Sequence, residues 1–135
     1  MAIESETDRV ASELALLIQP GEVVFLKGPL GVGKTRFVKG FAKSLGFEGQ
    51  VKSPTFNLVL LYDSDPPILH SDLYRVQSAS GLGIEDYLDD HICMIEWPER
   101  DPEFFAHCPI WILEFEFDGD GRTLKVFSPS KMKDK

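Results

Sequence analysis

The chain is short of cysteine, of positive charge and of long apolar runs, and each shortage narrows what it can be. Two cysteines, Cys93 and Cys108, among 135 residues are too few for a disulfide-stapled scaffold. Cys93 lies within the apolar run Ile92–Ile95, so reduced core thiols are expected, as suits the cytoplasm. Lys and Arg number 14 against 22 Asp and Glu, a formal net charge of −8. That balance argues against a broad electrostatic grip on nucleic acid or an anionic membrane. No apolar run approaches the ~18 residues of a membrane-spanning helix, and no basic segment followed by an apolar one opens the chain. Internal repeats and low-complexity tracts are also missing. The expectation is a soluble, acidic, single domain over residues 1–127, with a frayed tail from Ser128 to Lys135. With 43% hydrophobic residues, such a domain buries roughly two-thirds of its unfolded surface and needs no staple.

What charge there is lies unevenly. Residues 27–52 hold six basic residues against Glu48 alone, whereas residues 62–103 hold eleven acidic ones against Arg75 and Arg100. A local basic centre in an acidic protein suits a small anionic ligand, although Arg36, Lys39 and Lys43 also read as a solvated helix face. Val10, Leu14, Leu17 and Ile18 recur at helical spacing and predict a helix from about Thr7 to Ile18, with Ser5 and Asp8 as a capping box. A strand over Val23–Leu26, a helix over Lys34–Leu45 and strands over Phe56–Tyr62, Ile68–His70 and Ile92–Glu96 follow, with a helical turn at Ile84–Leu88. Ile110–Phe117 and Thr123–Phe127 flank Asp118-Gly119-Asp120-Gly121, a strong hairpin signal. The fold class read from this pattern is α/β, a P-loop NTPase-type mixed sheet flanked by helices with an antiparallel C-terminal hairpin.

The segment Gly28-Pro29-Leu30-Gly31-Val32-Gly33-Lys34-Thr35 fits G-x-x-x-x-G-K-[ST], with the required strand before it and helix after it. Glycines let backbone N–H groups converge on phosphate oxygens where a Cβ would intrude. The helix that follows aims its N-terminal donors at the same anion. In this pattern the Lys34 ammonium reaches the β/γ-phosphates and the Thr35 hydroxyl is suited to Mg²⁺. The candidate cradle is thus Leu30, Gly31, Val32, Gly33, Lys34, Thr35 and Arg36.

A P-loop needs a carboxylate to complete its metal site, and two end apolar strands: Asp72 and Glu96. Such residues face the crevice at the carboxyl edge of an open α/β sheet. The plainer readings are an ion pair of Asp72 with Arg75 and a cap of the Pro98 turn by Glu96. The Asn-Lys-x-Asp segment by which GTPases read guanine is missing, and residues 76–91 are short and free of Arg, unlike a kinase lid. ATP hydrolysis used as a switch is favoured; a small-molecule P-loop kinase and a nucleotide-dependent scaffold are the alternatives.

The residues also carry a family likeness. Gly28–Thr35, Val51-Lys52-Ser53-Pro54-Thr55-Phe56, His70-Ser71-Asp72-Leu73-Tyr74-Arg75, Gly83-Ile84-Glu85-Asp86-Tyr87 and Ile92-Cys93-Met94-Ile95-Glu96-Trp97-Pro98-Glu99-Arg100 occur in that order. Together they resemble the bacterial TsaE (YjeE) family, the small ATPase of tRNA N6-threonylcarbamoyladenosine synthesis, from about Glu4 to Arg100. The resemblance implies binding of ATP/ADP with Mg²⁺ and work with two partners, TsaB and TsaD, that modify adenosine 37, so that tRNA is met only through the complex. It implies Thr35 and Glu96 as metal ligands, Asp72 as a residue needed for activity and Trp97 beside the nucleotide. Glu4 and Thr7 match the family's start near the adenine. Pro29 stands where the family often has Asp, and it removes one N–H from the cradle.

Thr55, in Ser53-Pro54-Thr55-Phe56, is a candidate γ-phosphate sensor and joins Lys34, Asp72 and Glu96 as a catalytic candidate. His70, His91 and His107 lack metal-ligand spacing and read as structural, with His70 the only one close to the site. Trp111 and the phenylalanines from Phe115 to Phe127 read as packing; for Trp97 and Phe104-Phe105 packing is favoured, with a partner-facing patch as the alternative.

Overall fold

The computed structural model describes residues 3–29, 32–51, 59–119 and 121–129. Its elements run α1 (Ile3–Ala15), β1 (Val23–Lys27), α2 (Lys34–Ser44), β2 (Val59–Tyr62), β3 (Ile68–Asp72), β4 (Ile92–Glu96), β5 (Ile110–Asp118) and β6 (Gly121–Phe127). Short 3₁₀ turns at Ile84–Tyr87, Pro98–Arg100 and Pro102–Phe105 interrupt the connections around β4. The strands form one mixed sheet of order β2-β3-β4-β1-β5-β6. β1 is central and parallel to both β4 and β5, while β2 and β6 close the two edges antiparallel.

Period-2 alternation divides the core between the two faces. Val24 and Leu26 of β1, Ile92 and Met94 of β4, and Leu113 and Phe115 of β5 join Phe37, Val38 and Phe41 of α2 and Ala11 and Leu14 of α1. Val23, Phe25, Leu69, Cys93 and Ile95 pack on the other face against Leu73, Ala79, Ile84 and Phe105. Both α-helices therefore cover one face, and the 3₁₀ turns and their loops cover the other. No helix among the described residues is long and apolar enough to cross a membrane.

Several expectations shift. Helix α1 begins at Ile3, so Ser5 lies inside it and not at its start. Asp8, assigned to a capping box, instead reaches Arg36 of α2 at 2.8 Å. The helix ends at Ala15, where Leu17 and Ile18 N–H groups both turn back to the Leu14 carbonyl. Ile18 enters the core, but Leu17, expected inward, is 58% exposed. Strand β2 is described from Val59; residues 56–58, where it was expected to begin, lie outside the described residues. β3 runs two residues farther than its apolar stretch, which brings Asp72 into the ladder opposite Glu96.

The hairpin forms as its turn residues predict, with Asp118 opposite Gly121. Both cysteines are free, and burial raises the Cys93 thiol pKa to about 12. Ser128 is half-buried and Pro129 buried, while the tail from Ser130 lies outside the described residues.

Candidate functional site

β1 ends at Lys27 and the chain enters the glycine loop at once. Gly28 has φ +147°, and a Cβ there would stand 2.6 Å from the Phe115 carbonyl oxygen of β5. The loop thus leaves the sheet through a passage that only glycine fits. The Val32 N–H reaches the Pro29 carbonyl at 3.3 Å. Gly33, at φ +114°, is the residue before α2, whose start has no side-chain cap and no acidic residue in its first turn. First-turn N–H donors without a cap are what an anion at a helix start uses.

Lys34 is the first residue of α2 and is buried. Its Nζ donates to the Gly28 carbonyl at 2.7 Å, stands 4.0 Å from Glu96 Oε1 and lies 5.1 Å from the centre of the Trp97 ring. The ammonium is therefore folded back across the mouth of its own loop. Thr35 follows, half-buried, in the first turn.

The two carboxylates come from neighbouring parallel strands. Asp72 and Glu96 pair in register at the carboxyl ends of β3 and β4, and Leu26 of β1 pairs with Glu96 from the other side. Glu96 is buried, with Oε2 at 2.8 Å from His70 Nε2. Asp72 is less enclosed, and its Oδ1 accepts the Tyr74 N–H at 2.9 Å. Burial raises the Asp72 carboxyl pKa above its ordinary 3.8; the Tyr74 N–H opposes the rise, and the Glu96 charge adds to it. The plainer readings both fail here. No ion pair joins Asp72 to Arg75 among the described residues, and Glu96 turns to His70 and Lys34 instead of capping the Pro98 turn.

Trp97 adopts φ 59° and ψ 49°, a left-handed conformation that is uncommon for a bulky residue and costs on the order of 1–3 kcal/mol. The indole lies 4.8 Å from the Tyr74 ring, with the Lys34 ammonium 5.1 Å from its own centre, and Arg100 lies over Tyr74 at 5.4 Å.

A cavity of about 280 Å³ opens beside the loop, between α1, the start of α2 and the β5–β6 hairpin. Val10, Val32 and Phe115 give it apolar wall, and Thr7, Gly33, Arg9, Arg36 and Arg122 give it polar and cationic groups. Arg36 Nε is buried there without a hydrogen-bond partner among the described residues. Three guanidinium groups around one apolar cleft, one with an unspent donor, fit a ligand that combines a flat apolar ring with negative charge.

The tertiary structure thus gathers Val32, Gly33, Lys34, Thr35, Arg36, Asp72, Glu96 and Trp97 around the loop, with Thr7 on the cavity wall. Glu4 lies in α1, and Leu30, Gly31 and Thr55 fall outside the described residues. Arg36 is not the solvated residue its position on α2 suggested, because Asp8 and the cavity hold it; Lys39 and Lys43 are exposed. For Phe105 the structure decides against the alternative of a patch and for packing. It is fully buried against Phe25, with ring centres 5.8 Å apart, and Phe104 packs half-buried on the same cluster.

His70, read as structural but as the one histidine close to the site, touches Glu96, as its place two residues before Asp72 on the same face of a strand allows. Two residues that sequence reading did not place at the site are Arg122 and Phe115. They reach the loop only because β5 and β6 pack beside β1, and nothing local to them reports that.

The strand–loop–helix unit at the centre of this sheet order defines a P-loop fold. The crystal structure of Bacillus subtilis YdiB has the same fold, with a TM-score of 0.74, 30% identity, and 95% of this chain and 81% of that one covered. The family described as "Threonylcarbamoyl adenosine biosynthesis protein TsaE" matches residues 1–124, and the chain belongs to that family. Proteins named "tRNA threonylcarbamoyladenosine biosynthesis protein TsaE" are 39% identical in Aquifex aeolicus (92% of this chain, 90% of that protein) and 34% identical in Haemophilus influenzae (88% and 78%). The Bacillus subtilis TsaE protein is 42% identical over 95 residues, 60% of its own length.

Proposed function

We propose that this chain is a cytoplasmic, Mg²⁺-dependent P-loop ATPase, slow alone, that couples ATP binding and hydrolysis to the cycle of a TsaB–TsaD complex forming N6-threonylcarbamoyladenosine at position 37 of tRNA. The observation that carries this reading is Lys34, buried at an uncapped helix start within reach of Gly28 and Glu96, with Asp72 one strand away. ATP or ADP would set its phosphates on the loop from Gly28 to Thr35 and its adenine in the cavity lined by Thr7, Val10 and Phe115.

No group of three or more His, Cys, Asp or Glu among the described residues could cage a metal. Magnesium does not need one, since it is commonly held by one or two carboxylates or hydroxyls together with substrate phosphates and waters. Thr35 and Glu96 are hard oxygen donors suited to that role. When bound, Mg²⁺ supplies charge neutralisation on the phosphates. Lys34 would reach the β/γ-phosphates, and Asp72 would orient the water whose oxygen bonds to the γ-phosphorus as the bond to the ADP oxygen breaks.

An acidic chain of net charge −8 is poorly suited to gripping tRNA by itself, so tRNA is reached through the complex. Thr55 serves as the sensor of the γ-phosphate. A two-state segment reports nucleotide status only to a partner that distinguishes its states. The test is ATP turnover and sedimentation with TsaB and TsaD, in the apo, ADP and ATP-analogue forms. Turnover should rise with both partners present, and association should differ between ADP and the analogue; Thr55→Ala should shrink that difference. Equal association of all forms, or phosphate delivered to an added small acceptor, would favour a kinase.

A further inference from the structure

His70 is fully buried, and both of its ring nitrogens are engaged. Nε2 stands 2.8 Å from Glu96 Oε2, and Nδ1 stands 3.2 Å from the Tyr62 hydroxyl. The three side chains come from three consecutive strands of the sheet. Register sets the chain of contacts, because His70 pairs with Met94 and so reaches Glu96 two residues along on the same face. Glu96 Oε1, the other oxygen, faces Lys34.

We infer that His70 is a positioning residue that holds one oxygen of Glu96 so that the other is presented to the phosphate-bound magnesium. The last torsion of a glutamate is broad, so an unrestrained carboxylate presents its oxygens in many orientations. Here the ring N–H ties down Oε2. Letting it go would leave a buried donor without an acceptor, which a site closed to water resists. Tyr62 fixes the ring in turn, since its hydroxyl on Nδ1 resists rotation of the imidazole. Outer partners of metal ligands act in this way, and their loss typically lowers metal affinity about 10–100-fold.

The inference rests on Glu96 being a magnesium ligand, and the experiment separates the two. Binding of ADP and of a non-hydrolysable ATP analogue is measured by calorimetry with Mg²⁺ and with EDTA, and the ratio of the two affinities is the magnesium enhancement. His70→Leu fills the site without a donor. It should lower the enhancement about 10–100-fold and leave the EDTA affinity near the wild-type value. His70→Gln, whose amide N–H can reach where Nε2 does, should restore most of the enhancement, and Tyr62→Phe should lower it less than His70→Leu. If His70→Leu does not fold, His70→Asn, whose amide stops short of Glu96, takes its place.

A wild-type enhancement in the donor-less variant would overturn the inference. So would equal losses with and without Mg²⁺, or a glutamine variant no better than the leucine one. A wild-type protein that binds nucleotide with no magnesium enhancement would remove the ligand role of Glu96 itself, before any substitution is made.

Discussion

Truncating Lys34 to alanine should strip the chain of most of its nucleotide affinity while sparing the fold. Among the described residues the ammonium makes a short hydrogen bond to Gly28 and lies 4.0 Å from Glu96. Losing these costs stability, but removing a buried ammonium also relieves a desolvation penalty. The two effects oppose each other. A difference of 1 kcal/mol moves the melting temperature of a chain this size by about 3–5 °C, so a shift of only a few degrees is expected.

Binding has no such compensation. A hydrogen bond from a charged donor to phosphate contributes about 1.5–3 kcal/mol, or about 10–150-fold in affinity at 1.4 kcal/mol per tenfold. Calorimetry with Mg²⁺–ADP, alongside a thermal melt of the same sample, reads both quantities. Wild-type affinity in a folded Lys34→Ala protein would refute the assignment of Gly28–Thr35 as a phosphate loop.

Gly28→Ala should destabilise the protein by about 1–3 kcal/mol from its positive φ alone, and more because its Cβ meets the Phe115 carbonyl at 2.6 Å; an unchanged denaturation midpoint would contradict the close passage under β5. Asp72→Asn tests the half-buried carboxyl. A folded-state pKa above the ordinary 3.8 means that the native state holds its proton more tightly than the unfolded chain, so stability falls as pH rises through that window. The asparagine variant should melt higher than wild type above the window and match it below, and a variant equally stable at both ends would refute it. The same variant should bind ATP and lose turnover, whereas Glu96→Ala should lose Mg²⁺-dependent binding; the reverse pattern in paired binding and turnover assays would exchange the two roles.

Local sequence was enough for some of this protein and not for the rest. The glycine loop could be read because its requirements are local: glycines where the backbone takes positive φ, a lysine and a threonine opening a helix, and an apolar strand before them. The hairpin could be read for the same reason, since Asp118-Gly119-Asp120-Gly121 suits a two-residue turn by its own chemistry. Asp72 and Glu96 could be named as candidates because one lies just past an apolar stretch and the other ends one, and an acidic residue there faces the carboxyl edge of the sheet.

Which groups would meet was decided elsewhere. The register of β3 on β4 set Asp72 beside Glu96 and His70 against it, and pairing register depends on neighbours distant in sequence. Asp8 became a partner of Arg36 because α1 packs on α2, so a local capping pattern yielded to a contact 28 residues away. Phe105 went to the core and Leu17 to the surface, since burial follows from what lies opposite a side chain and not from its hydrophobicity. Arg122 entered the cavity because β6 closes the sheet beside the loop, a juxtaposition that exists only once the strands have been ordered in space.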